Sequence, residues 1–242
     1  MSCKRKNSIV VESSLHESST IGIKGFIKRL FLSRVSRVYA SGKCQKALVE
    51  ELGFHKEIVI TKGVGVFNLV PQPPYAERDR VSKFLFVGRL TAVKNLQFLI
   101  QVFNEFPNCQ LTIAGFGELE SELRSIASEN IKFIGAVPNK HLTKIYQDHD
   151  VFILPSYSEP WGLVVEEALN NGLPVIVSDR VGCADEIIEE GKNGLIFKNN
   201  DDKSLQDCIK KIQEVNLYNK MRKFISELDF EEIERAQAQC YI

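Results

Sequence analysis

Paired cysteines are missing from this 242-residue sequence. Its six (Cys3, Cys44, Cys109, Cys183, Cys208 and Cys240) are scattered, with no CxxC spacing. A metal or redox site needs clustered thiols and a disulfide framework needs a secreted setting, so reduced thiols are expected. Histidine is sparse as well. His16, His55, His141 and His149 stand apart without an HExxH arrangement, and no metal site is predicted. Neither sign of charge is in excess: Lys plus Arg number 31 and Asp plus Glu 31, leaving no global field to attract nucleic acid. No apolar run approaches the roughly 18 residues that mark a membrane span. The start, MSCKRKNSIVVESS, is basic but has no apolar stretch of signal-peptide length. A cytoplasmic protein is expected.

What the sequence does have is a regular alternation. From Lys83 onward, short apolar runs recur: FLFVG (84–88), QLTIAG (110–115), IKFIG (131–135), VFILP (151–155), PVIVS (174–178) and GLIF (194–197). Between them lie patterns such as NLQFLIQVFNEF (95–106) and ELESELRSIASE (118–129), with apolar residues three and four apart. Continuous apolar runs separated by helices mean strands buried on both faces, hence a parallel sheet. Several such units in a row predict an α/β fold with a Rossmann-like, doubly wound sheet. Ligands of such sheets sit beyond the carboxyl ends of the strands. Here those ends carry Gly88-Arg89, Gly115-Phe116-Gly117, Gly135-Ala136-Val137, Pro155-Ser156-Tyr157 and Ser178-Asp179. Small and polar residues crowd one edge, and the site is placed there.

The first eighty residues differ. SIVVESS (8–14), VYASG (38–42) and EIVITKG (57–63) read as strands, too few for a complete second α/β domain. KGFIKRLFLSRVSRV (24–38) reads as a core helix with a solvated basic face; its alternative is a segment lying on an anionic bilayer. PQPPYAERDR (71–80) reads as an interdomain linker. The predicted organisation is 1–70, a linker at 71–82, an α/β domain at 83–216, and a helical segment at 217–242 packing back toward the first part.

The stretch SEPWGLVVEEALNNGLPV (158–175) carries the chemistry. A helix beginning near Gly162 leaves the amides of Trp161, Gly162, Leu163 and Val164 without intrahelical acceptors. With the positive end of the helix dipole they suit a phosphate, and glycine at 162 lets a ligand come close. Glu159 can accept bonds from a neutral polyol, and Glu167 can take two ribose hydroxyls. Taken alone, these residues read first as ordinary structure: Glu159 as a charge that complements the dipole, and Glu166 and Glu167 as solvated face residues. The second cluster, VGRLTAVKN (87–95), shifts the balance: Arg89 and Lys94 put two cations on the same sheet edge, which suits a diphosphate. GFGE (115–118) permits a tight turn, but glutamate at 120 leaves GxGxxG incomplete and excludes a nicotinamide dehydrogenase. GAVPNKHL (135–142) offers backbone that can read a base edge.

These residues together resemble the donor-binding half of family 4 glycosyltransferases. The resemblance rests on Gly88-Arg89-Leu90 with Lys94, Ala114-Gly115-x-Gly117, Pro155-Ser156-x-x-Glu159-x-x-Gly162 with Glu167-Ala168, and Gly172-x-Pro174-Val175. It is close over 83–215 and looser over 8–70 and the final helix. It implies a retaining enzyme of the GT-B fold that moves a hexose-type sugar from a UDP- or GDP-linked donor, with no metal required. Arg89 and Lys94 would hold the diphosphate and serve catalysis with Glu159, which would meet the transferred sugar. Glu167 would take the ribose, the amides from Gly162 to Val164 the distal phosphate, and Trp161 would flank them. Gly88, Gly115 and Gly117 would line the nucleotide pocket, and Val137 would meet the base. The acceptor would be a saccharide or a lipid-linked molecule in surface polysaccharide or glycoconjugate synthesis. A partner chain supplying the acceptor half follows from the same resemblance, because residues 1–70 look like the back half of the family's amino-terminal domain; peripheral membrane contact is suggested by the basic, apolar residues 24–37. Two alternatives stand beside it: a non-catalytic nucleotide-sugar-binding half, and a sugar-nucleotide epimerase. The latter should bring clustered histidine and acidic residues.

Overall fold

A computed structural model describes residues 7–15, 17–63 and 69–242, so Cys3 and His16 lie outside the described residues. Two parallel sheets organise it. The smaller has the order β1-β2-β3, from Ser8–Val11, Arg37–Ala40 and Glu57–Ile60, with helices α1 (Gly22–Ser33) and α2 (Lys43–Glu51) in the crossovers. Its core is Leu32, Val35, Val38, Leu48, Val49, Leu52 and Phe54.

The larger sheet contains β4 (Lys83–Val87), β5 (Gln110–Ala114), β6 (Ile131–Gly135), β7 (Val151–Leu154), β8 (Val175–Ser178) and β9 (Gly194–Phe197). Helices α3 (Leu96–Asn104), α4 (Glu120–Ile126), α5 (Asn139–Gln147), α6 (Leu163–Asn170) and α7 (Ala184–Ile187) connect them, and α8 (Asp202–Ile212) follows. β7 and β8 are buried at every position, whereas edge strand β6 alternates. That is the burial expected of central and edge strands in a sheet covered by helices. The expected doubly wound parallel sheet is therefore present.

Its strand order, β6-β5-β4-β7-β8-β9, decides where a ligand fits. The chain winds outward from β4 to β6, then returns to the other side of β4 and winds out again. The winding reverses between β4 and β7, and loops leaving these strands diverge there to open a crevice. Those loops are Gly88-Arg89 and 155–162.

Two elements depart from the sequence reading, and a third refines it. The helix expected over 118–129 spans only Glu120–Ile126, because Ala127 turns extended, with φ −82° and ψ 133°. The carboxy-terminal segment is two helices, α9 (Val215–Ser226) and α10 (Phe230–Gln239), separated where Asp229 caps the second by accepting from the amide of Glu232 at 2.9 Å. The other departure is α1, read as a core helix over 24–38. It buries only Gly25 and Leu32, while Ile23, Phe26, Ile27, Leu30 and Phe31 are exposed. These five form one exposed stripe at i, i+3, i+4, i+7, i+8, two of whose members, Ile27 and Phe31, border a cavity shared with Ile9, Val10 and Val11 of β1.

Prolines keep 71–80 out of either sheet, and its backbone groups go to side chains instead. Asn170 both donates to the Val70 carbonyl and accepts from its amide, at 3.1 and 3.0 Å. Asn219 treats Arg78 the same way, at 2.9 and 3.0 Å. Beyond α9, α10 returns to the small sheet: Gln237 Nε2 donates to the Lys62 carbonyl at 2.7 Å, and the Tyr241 ring lies 4.8 Å from that of Tyr39.

Candidate functional site

At the reversal point lies a cleft of about 290 Å³. It is lined by Gly88, Arg89 and Lys94 from one side, and by Glu159, Trp161, Gly162, Leu163 and Val164 from the other. Val87 and Pro160 complete that surface, and Glu12, just past β1 of the small sheet, faces it. Gly115, Gly117, Val137 and Glu167 lie outside this lining.

The helix mouth is built by tight packing of two loops. Gly162 is the N-cap of α6 at φ +100°, so the helix proper begins one residue later than its expected onset. No side chain caps it, and the amides of Gly162, Leu163 and Val164 have no acceptor among the described residues. Such an end accumulates positive potential and accepts an anion. The preceding loop is held by the loop after β8: the Glu159 amide donates to the Arg180 carbonyl at 3.1 Å, and the amides of Gly182 and Cys183 donate to the carbonyls of Glu159 and Trp161, each at 2.9 Å. Gly182 permits this closeness, since a Cβ there would stand 1.9 Å from the Pro160 oxygen.

The cationic wall is fixed in the same manner. A 3-10 turn at Ala92–Lys94 ends at Asn95, whose φ is +55° and whose side-chain amide donates to Asn200 Oδ1 at 3.1 Å. The Tyr157 amide donates to the Val93 carbonyl at 2.9 Å, tying this turn to the loop after β7. Lys94 Nζ consequently reaches Glu159 Oε2 and forms an ion pair, while Ser156 Oγ donates to the same oxygen at 3.2 Å. Arg89 is exposed, and its guanidinium has no acceptor among the described residues.

Gly115 and Gly117 have a packing reason to be glycine. A Cβ at 115 would stand 1.8 Å from the Gly88 oxygen, and one at 117 would stand 2.4 Å from the Leu90 oxygen. The Leu90 amide donates to the Phe116 carbonyl at 2.9 Å. The loop after β5 thus supports the one that carries Arg89.

The two glutamates of α6 are not solvated face residues. Glu166 is 3% exposed; Trp161 Nε1 donates to one of its oxygens at 2.8 Å and Gln237 Nε2 to the other at 3.1 Å. Burial pushes its pKa up to about 7 against those two bonds. Glu167 is half-buried, with one oxygen accepting from Tyr146 Oη at 3.0 Å, and burial raises its pKa too. Among the described residues, no three of the His, Cys, Asp and Glu side chains come together as a metal site.

Glu12, Gln45 and Gly182 are the residues that sequence reasoning missed. Glu12 and Gln45 enter only through the placement of the small sheet against the large one. Gly182 lies in VGC (181–183) after a strand end, the same glycine-at-strand-end signal that drew notice to Gly88 and Gly115.

Fold and cleft define a doubly wound α/β protein with a crevice at its reversal point, lined by acceptor-less amides and two cationic side chains. Residues 72–227 match the model of the family described as Glycosyl transferases group 1. The chain belongs to that family. It is 32% identical over 154 residues to sulfoquinovosyl transferase SQD2 of Arabidopsis thaliana, covering 62% of this chain and 30% of that protein. It is 37% identical over 161 residues to the O-antigen biosynthesis glycosyltransferase WbnH of Escherichia coli, covering 65% of this chain and 45% of that protein. The chain thus matches less than half the length of either relative. Among solved structures, Anabaena HepE in complex with UDP superposes with a TM-score of 0.75 over 97% of this chain and 71% of that one, at 17% identity. That likeness is one of fold, and the fold is the GT-B type.

Proposed function

We propose that this chain is the donor-binding half of a retaining, family 4 glycosyltransferase. It binds a UDP- or GDP-linked hexose and transfers the sugar to a saccharide or lipid-linked acceptor in surface polysaccharide or glycoconjugate synthesis. The observation that carries the reading is the cleft itself: the acceptor-less amides of Gly162–Val164 and the cations Arg89 and Lys94 open onto one space. A diphosphate placed there meets donors from both walls, and the negative charge that grows on it as the glycosidic bond breaks is stabilised by groups already in position. No metal is needed for that neutralisation. Glu159, beside Lys94, stands ready for hydroxyls of the sugar.

A thermal-shift panel of UDP-, GDP- and ADP-sugars tests the reading. A ligand at 100 times its dissociation constant should add about 2.7 kcal/mol. No shift with any of the three would overturn it.

A second reading is supported by the share of the relatives' length that the chain matches and by the three-stranded size of the first sheet. On it, the chain binds the donor, and the acceptor side comes from further polypeptide or a partner chain. Release of free UDP or GDP from a bound donor favours catalysis by this chain; tight binding without release favours the module. Membrane-face association belongs to the same proposal, supported by the exposed apolar stripe of α1 with Lys24, Lys28 and Arg29 interleaved.

A further inference from the structure

Trp161 is the only tryptophan in the sequence, and its two ends belong to different parts of the molecule. The backbone sits on the cleft. The indole is 4% exposed and wedged where β2 and β3 end. A Cβ at Gly42 would stand 3.0 Å from its Cζ3, and one at Gly63 would stand 3.0 Å from its Cζ2. Both positions are glycine where a side chain would press on the ring.

A line of hydrogen bonds continues from the indole. Trp161 Nε1 donates to Glu166 Oε2, Gln237 Nε2 donates to Glu166 Oε1, and the same Gln237 nitrogen donates to the Lys62 carbonyl. The loop before α6, α6 itself, α10 and the loop after β3 are joined by it. Gln45 adds a second tie, donating to the carbonyls of Pro160 at 2.5 Å and Glu12 at 3.1 Å.

These ties matter because α6 does not fix its own mouth. Gly162 has positive φ and no capping side chain, so the aim of the three amides depends on what grips the loop. One grip is Gly182 and Cys183; the other comes from the small sheet and α10. Beside that second grip is a cavity of about 510 Å³, bounded among others by Leu169, Ile233 and Gln237. α10 is seated beside it by Phe230, which packs into the large core at one end of the helix, and by the bonds of Gln237 toward the other.

We propose that Trp161, Glu166 and Gln237 are positioning residues: seating of α10 and of the indole between Gly42 and Gly63 holds residues 160–164 so that their amides aim into the cleft. The inference rests on the donor-binding reading and specifies how the small sheet and α10 govern it.

Calorimetric titration of the full chain with UDP and with GDP tests it, using wild type, Gln237→Leu, Trp161→Phe and the double variant, all well below their melting temperatures. Each single change should weaken the bound nucleotide about tenfold, the scale of one or two buried hydrogen bonds. The double variant should be no weaker than the weaker single, because one linkage is being cut twice. Gln237→Leu retains the tryptophan, so a shift of its emission reports the indole's release independently of ligand. A folded Gln237→Leu with a lowered melting temperature but unchanged affinity and emission overturns the proposal, as do purely additive losses. If wild type binds neither nucleotide, the donor-binding reading fails first and takes the inference with it. If wild type binds and the variants match it, only the inference falls.

Discussion

Lys94 and Glu159, 65 positions apart in sequence, form an ion pair inside the cleft, with side chains only 15% and 14% exposed. The pair gives each charge a partner. On the proposed donor-binding reading, a diphosphate in the cleft would compete with Glu159 for the ammonium, and the freed carboxylate would face the sugar it carries. Arg89, exposed on the same wall as Lys94, has no such partner to give up among the described residues.

The two cations should therefore behave differently on removal. Arg89→Ala removes an exposed charge, and its stability should change by no more than about 0.5 kcal/mol. Lys94→Ala leaves a partly buried carboxylate with Ser156 alone, which should cost about 2 kcal/mol. Both should lower donor turnover by roughly 10²–10³-fold. Melting curves and release of free nucleotide check the two effects separately. Normal turnover in both variants would remove the diphosphate from this site.

Glu166 makes the fold sensitive to pH. Its folded-state pKa of about 7 lies above the ordinary 4.5, so the native protein retains a proton that the unfolded chain has already lost. Its contribution is fully present below about pH 4.5, declines as pH rises, and is gone above about pH 7, amounting to at most about 3 kcal/mol. The carboxyl faces Trp161 and Gln237, with Glu167 beside it, and Lys62, Glu186 and Glu189 around the adjoining cavity. Glu167, also raised, pushes stability the same way. The difference between wild type and Glu166→Gln isolates the first group: wild type should lose stability relative to the variant between about pH 5 and pH 7.5. A pH-independent difference would mean that Glu166 stays ionised in the fold.

The glycines at the strand ends differ in what they tolerate. Gly115→Ala drives a methyl into the Gly88 oxygen, 1.8 Å away, and should cost about 3 kcal/mol while displacing the loop that carries Arg89. Gly135 also has positive φ, +72°, but a Cβ there meets nothing within 4 Å. Gly135→Ala should cost about 1 kcal/mol, from backbone strain alone. Chemical denaturation of the two variants tests the contrast; equal losses would show that no close approach exists at Gly115.

Such contrasts show how much a sequence can say. Strands β4, β5, β7 and β8 were legible because burial on both faces writes a continuous apolar run. The reversal point followed from their order only once the structure supplied it. The glycines drew attention as places for a ligand, yet at 115 and 117 what they approach is another backbone, which no local pattern distinguishes. Glu166 and Glu167 look alike in sequence, and only the return of α10 makes the first a buried acceptor for Gln237. The α10 boundary itself was legible: Asp229 followed by Glu232 is a capping signal inside the helical stretch 227–242. The exposed apolar stripe of α1 was not, because periodicity says that a helix has an apolar face and not whether that face is buried.

Glu167 offers the sharpest test of ligand identity. It lies one turn into α6, and Tyr146 Oη already occupies one of its oxygens at 3.0 Å. The bidentate grip on two ribose hydroxyls expected from the sequence must therefore share that oxygen with the phenol, leaving the other for one strong bond. A charge-assisted bond of this kind is worth about 1.5–3 kcal/mol, or roughly 10–100-fold in affinity. Wild type should thus prefer UDP over its 2′- or 3′-deoxy counterparts by roughly that factor. Glu167→Gln should retain the contact to Tyr146 yet lose most of the preference, and Tyr146→Phe should retain the preference, since the free oxygen remains. Equal binding of ribo and both deoxy nucleotides by wild type would place the ribose elsewhere, and a Glu167→Gln variant that discriminates as well as wild type would assign the selectivity to a group other than Glu167.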